Sequence, residues 1–229
     1  TQSCPSWTRG LNGYNPANSH SQGNRDMATI EFFFDYSSPW TFLAYDRIES
    51  FCADNGADLV WKPFLVGGVF NKVNPSVYQR RENPVPPKDN YYKKDMADWS
   101  AYQGISMIKP SVFPVNSVKA LRGAFVAIEQ GTISPYSRAM FEAYWCDDKD
   151  ISQEDVLREI VGKAGMDADD FFAQIGDDTI KRKLFETTDE IIERGGFGSP
   201  TFFVNGSDMY FGNDRLELIK AAIDRSKAA

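Results

Sequence analysis

The chain has 229 residues, 25 basic and 32 acidic, which give a net charge of −7 and a pI near 4.8. This length suits one large domain or two interleaved small ones with a buried core. No basic stripe is present to neutralise phosphates, and no apolar run reaches the roughly 18 residues of a membrane span, so neither nucleic-acid binding nor a membrane-spanning helix is expected.

Residues 1–26 are rich in Asn, Ser and Gly and lack the apolar stretch of a secretory signal. Met27 stands directly before the first predicted strand. We therefore expect residues 1–26 to be an extension upstream of the natural start, or an expression remnant, that lies outside the fold.

The next segment predicts a strand, a helix and a second strand. Residues 29–34 are a short apolar run of strand-forming residues. Pro39 then opens a helix in which apolar residues recur every three or four positions, and Gly56 ends it. Residues 58–63 predict the second strand. This spacing is typical of a right-handed βαβ unit with parallel strands.

The middle of the chain, residues 67–194, predicts a block of helices. It begins with a predicted loop over residues 67–87, which is rich in Gly, Asn and Pro. Ser152 and Asp155 have the spacing of a capping box at the start of one helix. The predicted helices span 90–104, 117–130, 135–146, 152–165, 167–174 and 179–194.

The C-terminal part returns to the first pattern. Residues 201–204 and 209–211 predict two strands around an Asn205–Gly206 hairpin turn. An amphipathic helix over 214–225 follows, and its inward positions are Leu216, Ile219, Ala222 and Ile223.

Without the helical block, the element order is βαβ–ββα. The sequence therefore predicts an α/β protein of thioredoxin-like order, built from residues 27–66 and 195–229. Residues 67–194 are then a large all-helical insertion domain.

Cysteine and histidine usage restricts the chemistry. Cys4, Cys52 and Cys146 are far apart and form no C-x-x-C, which argues against a disulfide framework or a thiolate metal site and favours a reducing, cytoplasmic compartment. His20, the only histidine, lies in the polar N-terminal stretch. Any reaction must therefore proceed without a histidine base from the folded region.

Four segments over residues 28–226 together resemble one family. They are FFFDYSSPWTFLA, WKPFLVGGVF, FPVNS and GFGSPTFFVNG…MYFGNDRLEL. The chain is similar to the glutathione-dependent 2-hydroxychromene-2-carboxylate isomerases and the kappa-class glutathione transferases, which belong to the DsbA-like branch of thioredoxin folds.

Ser38 stands at the first strand-to-helix junction. There, Ser38-Pro39-Trp40-Thr41 replaces the C-x-x-C of redox members, so dithiol–disulfide exchange is excluded at this position. Local sequence alone favours an N-cap serine before a proline at the first helical position. The resemblance implies in addition that Ser38 contacts the sulfur of glutathione and is the catalytic residue.

The energies are compatible with that second role. Lowering a thiol pKa by about two units requires roughly 2.7 kcal/mol of preference for the anion. A helix N-terminus contributes about 0.3–1 kcal/mol, and a hydroxyl that donates to a charged acceptor adds about 1.5–3 kcal/mol. The two together suffice, and Ser38 need not act as a nucleophile.

The resemblance also implies glutathione-binding residues near the C-terminus. It implies that the Ser199–Pro200 bond is cis and that the Ser199 backbone binds the cysteinyl part of glutathione. The family usually has an apolar residue at this position, a departure expected to matter little for a main-chain contact. Asn213 and Asp214 would bind the γ-glutamyl end, with Asp214 on its ammonium, whereas local sequence alone predicts that Asn213 caps the last helix.

The loop after the second strand supplies further candidates by resemblance. Asn74 is the best match to the family's asparagine, with Asn71 and Asn83 as alternatives, and Lys88 is the expected basic partner of a carboxylate. Ordinary solvated loop polarity explains these residues equally well. Five aromatic residues would line an apolar substrate pocket or, as is more common, pack in a core. They are Trp40, Phe70, Tyr91, Tyr92 and Trp99.

The resemblance implies an enzyme that uses glutathione as a cofactor on a small aromatic ring-cleavage compound, within aromatic catabolism. The thiolate adds, a bond in the adduct rotates, and elimination regenerates glutathione. A kappa-like transferase or peroxidase that consumes glutathione is the alternative, and a DsbA-like binding or chaperone module without chemistry is a third. The family also implies a homodimer.

Overall fold

A mixed β-sheet forms the centre of the protein in a computed structural model, which describes residues 27–228. The expected N-terminal extension, with Cys4 and His20, lies outside the described residues. Within them the strand order is β2-β1-β3-β4. The strands are β1 (Ala28–Phe34), β2 (Ala57–Pro63), β3 (Thr201–Val204) and β4 (Asp208–Phe211).

The pairing follows the thioredoxin-like prediction. Strands β1 and β2 are parallel, with Ala28 opposite Ala57 and Phe34 opposite Pro63. Strand β3 runs antiparallel to both β1 and β4. Helix α1 (Pro39–Asn55) makes the crossover from β1 to β2 and ends at Gly56, which has a φ of 57°.

Strand β1 is buried on both faces of the sheet. Phe32 and Phe34 lie in the main hydrophobic core, where the Phe32 ring stacks on Phe202 at 5.2 Å. Phe33 faces the other side and packs edge-on against Phe203 at 5.5 Å. This two-sided burial explains the uninterrupted run of three phenylalanines.

Helices fill the connection between β2 and β3 in the described part of the chain. They are α2 (Val66–Val73), α3 (Ser76–Glu82), α4 (Pro86–Gln103), α5 (Val118–Glu129), α6 (Ile133–Trp145), α7 (Glu154–Lys163), α8 (Ala168–Ile175) and α9 (Asp178–Glu193). After β4, a short 3₁₀ turn (Asn213–Arg215) leads into α10 (Leu216–Ala228), which buries the four predicted inward residues.

The predicted loop over residues 67–87 is wrong. Helices α2 and α3 occupy most of it, and α4 starts at Pro86. Val66 and Val69 are buried on one side of α2, so packing outweighs the two glycines in its first turn. Proline is accepted at the first position of α4 because that position needs no intrahelical N–H bond.

The predicted capping box at Ser152 is also wrong. Gln153 precedes α7, and no side chain caps it. The Ser152 hydroxyl instead accepts a hydrogen bond from the Gln153 side chain at 3.0 Å. Glu154 and Asp155 lie in the first turn, where their negative charges interact favourably with the positive end of the helix dipole.

Candidate active site

Ser38 joins two parts of the chain at the start of α1. Its backbone is extended, with φ −104° and ψ 119°, and its Oγ accepts a hydrogen bond from the Thr41 N–H at 3.3 Å. The predicted N-cap is thus confirmed. The same hydroxyl donates to the Ser199 carbonyl oxygen at 3.1 Å. Ser38 is only partly buried, so its hydroxyl remains within reach of a ligand.

Ser199 and Pro200 form a second junction, directly before β3 and opposite Ser38, and the bond between them is cis, as expected. Its side chain is also engaged. The Ser199 Oγ accepts from the Asp35 N–H at 3.1 Å and lies 2.6 Å from the Thr41 Oγ1. The Ser199 side chain therefore links β1, α1 and the approach to β3.

Asp35 is a residue that the sequence reasoning missed. Its side chain is fully buried between the two junctions. One carboxylate oxygen accepts from the Ser37 N–H and the other from the Val66 N–H, both at 2.9 Å, and the Ser117 side chain also bonds it. Burial raises the pKa of Asp35, and these hydrogen bonds oppose the rise. An acid directly after three buried phenylalanines was the available signal.

Asn74 is brought to the second junction. It ends α2, and its side-chain Nδ2 donates to the Phe197 carbonyl at 3.1 Å, two residues before Ser199. Asn71 instead accepts a hydrogen bond from Tyr78, and Asn83 ends α3. Of the three asparagines, Asn74 is the one that the fold ties to the candidate site.

The fold does not tie Lys88 to that junction. Lys88 lies exposed in the first turn of α4, and its side chain makes no hydrogen bond or ion pair within residues 27–228.

The start of the last helix connects to the same place through Pro200, whose carbonyl accepts from the Gly212 N–H at 3.1 Å. Asn213 is 4% exposed, and its carbonyl accepts from the Arg47 guanidinium at 2.6 Å. The predicted cap is wrong: Gly212 precedes the turn, and no side chain caps it. Asp214 forms an ion pair with Arg215.

The side-chain nitrogen of Asn213 is buried and has no hydrogen-bond partner among the described residues. Leaving such a donor unsatisfied costs about 1–3 kcal/mol. A ligand that presents an acceptor here, such as a carboxylate, recovers that energy. The amide is therefore compatible with the binding role that the resemblance implies for Asn213.

Two of the five aromatic candidates meet beside Ser38. Trp40 and Tyr92 make an edge-to-face contact at 5.5 Å. The others lie elsewhere, because Phe70 packs on Tyr78, Trp99 packs on Tyr102, and Tyr91 is 65% exposed.

Two arginines of α3, also missed from the sequence, lie over rings near this junction. The Arg80 guanidinium is 5.0 Å from the Tyr92 ring centre, and that of Arg81 is 5.4 Å from the ring of Phe113. Phe113 contacts Trp145, whose indole N–H donates to the Tyr36 carbonyl at 2.9 Å. Neither arginine forms an ion pair within the described residues. Both are thus available to an acidic ligand.

The buried thiol of Cys52 is unsuited to reaction. Burial is the main cause that raises the pKa of Cys52 to about 12, and the charges of Glu49 and Asp58 add to it. Cys52 is therefore a protonated core thiol. Residues 27–228 contain no cluster of side chains suited to a metal ion, and none of their helices is long and apolar enough to span a membrane.

Comparison with known proteins agrees with this geometry. The family model of the DSBA-like thioredoxin domain matches residues 29–224. The 2-hydroxychromene-2-carboxylate isomerase of Pseudomonas putida is 27% identical over 199 residues, which cover 86% of this chain and 94% of that protein. The glutathione S-transferase kappa 1 of Rattus norvegicus is 27% identical over 205 residues, which cover 83% of this chain and 88% of that protein.

Solved structures show the same fold. A 2-hydroxychromene-2-carboxylate isomerase aligns with a TM-score of 0.72 at 25% identity, over 86% of this chain and 95% of that one. A probable DsbA oxidoreductase from Streptomyces coelicolor aligns with a TM-score of 0.71 at 15% identity, over 88% and 90%. The chain belongs to the DsbA-like thioredoxin-domain family and, within it, is similar to the 2-hydroxychromene-2-carboxylate isomerases and the kappa-class glutathione transferases.

Proposed function

We propose that the protein is a glutathione-dependent isomerase of a small conjugated aromatic compound. The observation that carries this proposal is the position of Ser38. Its hydroxyl stands at the N-terminus of α1, where the paired thiols of redox relatives are absent, and it reaches across to the Ser199 carbonyl. A thiolate at this helix start gains from both the dipole and the hydroxyl.

Glutathione fits the residues around Ser38. We propose that the Ser199 backbone binds its cysteinyl part next to Pro200, as an added strand would. The buried nitrogen of Asn213 is a suitable donor to the carboxylate of the γ-glutamyl end, and Asp214 is a suitable acceptor for its ammonium. When bound, glutathione supplies a thiolate that adds to the substrate, allows a bond to rotate and is then eliminated unchanged.

Two further contacts to glutathione are proposed with different support. Asn74 is tied to the Phe197 carbonyl, close to the second junction, which supports a role beside the tripeptide. The proposed contact of Lys88 with glutathione rests on the resemblance alone, because no contact in the fold places Lys88 at the site.

Ser38 has one proposed task, which is to hold negative charge on sulfur. Because its hydroxyl donates to the Ser199 carbonyl in the structure, it would have to exchange that acceptor for the sulfur when glutathione is bound. The sulfur would add as a thiolate and leave as a thiolate, so neither step would require a protein base.

The surroundings favour a flat, acidic substrate. Trp40 and Tyr92 present aromatic surface beside Ser38, and Arg80 lies over the Tyr92 ring. Aromatic surface next to a cation suits a conjugated ring that carries a carboxylate. The isomerase relatives are named for such a compound, 2-hydroxychromene-2-carboxylate, and we propose a substrate of that class from aromatic catabolism.

A kappa-like transferase or peroxidase is the second candidate, favoured by the similarity to the rat enzyme over 88% of its length. The two activities differ in the fate of glutathione. An isomerase returns it, so the thiol concentration stays constant during turnover, whereas a transferase or peroxidase consumes one or more thiols per product.

The test is conversion of 2-hydroxychromene-2-carboxylate with and without glutathione, with the free thiol measured in parallel. We expect conversion only with glutathione and no loss of thiol. Conversion with loss of thiol supports the second candidate. No thermal stabilisation by millimolar glutathione contradicts both enzymes and supports a binding module without chemistry.

We also propose a homodimer in a reducing, cytoplasmic compartment. These two proposals rest on the family resemblance and on the cysteine pattern. Light scattering of the purified chain tests the first, and fractionation of the native cells tests the second.

A further inference from the structure

A cavity lies between α2, α5 and α9, apart from Ser38. Its volume is about 170 Å³. Its walls are mostly apolar side chains, and three charged residues contribute to its lining. The lining residues are Leu65, Gly68, Lys72, Val118, Arg122, Leu184, Phe185, Thr188 and Asp189.

Arg122 is the unusual member of this lining. Its Nε is buried and has no hydrogen-bond partner within the described residues. No carboxylate of those residues lies within ion-pair distance of its guanidinium. A buried donor on a charged group costs more free energy when it is left unsatisfied than a neutral donor does.

The other two charges of the cavity neutralise each other. Lys72 and Asp189 form an ion pair at 2.6 Å across the helices α2 and α9. The charge that remains uncompensated at the cavity is therefore the single positive charge of Arg122.

We propose that this cavity binds a small monocarboxylate with an aromatic or branched aliphatic body. A cavity of about 150 Å³ is known to hold one benzene ring, so a ring fits here. The carboxylate pairs with Arg122 and satisfies its buried Nε, while Leu184 and Val118 enclose the apolar body. A monocarboxylate also matches the single uncompensated charge.

The cavity lies next to the groups that donate hydrogen bonds to Asp35, but those groups do not line it. The Leu65 N–H donates to the Thr188 hydroxyl on the cavity wall at 3.0 Å. Leu65 and Val118 are the chain neighbours of Val66 and Ser117, which both donate to Asp35. None of the residues proposed to bind glutathione lines this cavity, so a ligand here occupies a distinct site.

Benzoate is a suitable probe, with benzyl alcohol as its neutral analogue. Isothermal titration of the full chain measures both affinities. We expect benzoate to bind the wild type and to bind at least tenfold more tightly than benzyl alcohol. Failure of benzoate to bind at millimolar concentration, or equal binding of benzyl alcohol, overturns the proposal.

Two substitutions locate the binding. Arg122→Gln removes the charge, and Val118→Phe fills the cavity; each is expected to weaken benzoate binding at least tenfold. Arg182→Gln is the matched control, since Arg182 is an exposed arginine of α9 that pairs with Glu186, and it is expected to leave benzoate affinity unchanged. If Arg122→Gln and Val118→Phe both bind benzoate as the wild type does, benzoate binds elsewhere and the proposal is wrong.

Discussion

The hydroxyl of Ser38 has two partners in the structure and a third in the proposed mechanism. It accepts from the Thr41 N–H and donates to the Ser199 carbonyl. Replacement by alanine removes a donor worth about 1.5–3 kcal/mol to an anion. We therefore expect Ser38→Ala to lower kcat/KM for glutathione-dependent conversion by roughly 10- to 100-fold.

Ser50→Ala is the matched control for that experiment. Ser50 lies exposed on the same helix, and among residues 27–228 its hydroxyl bonds only the Arg47 carbonyl one turn earlier. It should retain the wild-type rate. Equal rates for Ser38→Ala and the wild type contradict the role of Ser38.

Ser199 is expected to stabilise the fold through its side chain. Ser199→Ala leaves the buried Asp35 N–H and the buried Thr41 hydroxyl without their shared partner. We expect the free energy of unfolding to fall by about 1–3 kcal/mol, measured by urea denaturation. Ser207→Ala, in the exposed β3–β4 turn, should change it little, and an equally small effect at both serines contradicts the proposed link.

Asp35 makes stability depend on pH. Burial raises its pKa above the ordinary value of 3.8, so the folded chain holds this proton more tightly than the unfolded chain. Its contribution to stability is full below the ordinary pKa and is lost as pH rises through the raised one. The stability of the wild type relative to Asp35→Asn should therefore shrink as pH rises.

Urea denaturation of both proteins between about pH 4 and pH 7 measures that difference. The amide of Asp35→Asn does not titrate, and it also loses at least one of the hydrogen bonds donated by Ser37, Val66 and Ser117. A difference that is constant or grows with pH shows that the carboxyl does not titrate as inferred.

At the scale of elements, α5 packs closely against α6 and α8 through Gly123. A Cβ at this position would lie 2.3 Å from the Tyr136 hydroxyl and 2.4 Å from the Phe171 ring, both fully buried. Gly123→Ala should destabilise the fold by about 1–3 kcal/mol, although alanine is the better helix former by about 1 kcal/mol.

Gly162 in α7 offers the opposite case, because a Cβ there meets nothing within 4 Å. Gly162→Ala should therefore stabilise the fold by about 0.4–1 kcal/mol. Thermal unfolding of both variants checks the pair. A stabilising Gly123→Ala would show that α5 can move away from its neighbours.

Elements with a strong local pattern were predictable from sequence. The strand with three phenylalanines, the helix opened by Pro39 and the hairpin at Asn205–Gly206 all formed as predicted. Helix α2 was not predictable, since Gly67 and Gly68 weaken its helical signal. Helix α3 is short and lies between Pro75 and Pro84, which favour a loop. What decides α2 is tertiary burial of Val66 and Val69, which local pattern does not contain.

At the scale of the whole molecule, the fold assembles the candidate site from distant parts. Ser38 and Ser199 are 161 positions apart and hydrogen-bond directly. Each junction was recognisable by its own motif and by the family resemblance. The roles of Asp35 and Arg80 were not, because they depend on which chain segments the helical block brings together.

The central claim is that this assembly favours a thiolate on bound glutathione. The most direct measurement is a pH titration of the ultraviolet absorbance of that thiolate, in the wild type and in Ser38→Ala. A free thiol has a pKa of about 8.5. We expect the bound thiol of the wild type to titrate about two units lower, and that of Ser38→Ala to return at least one unit toward the free value. Titration at the free value in the wild type, or the same lowered value in both proteins, contradicts the claim.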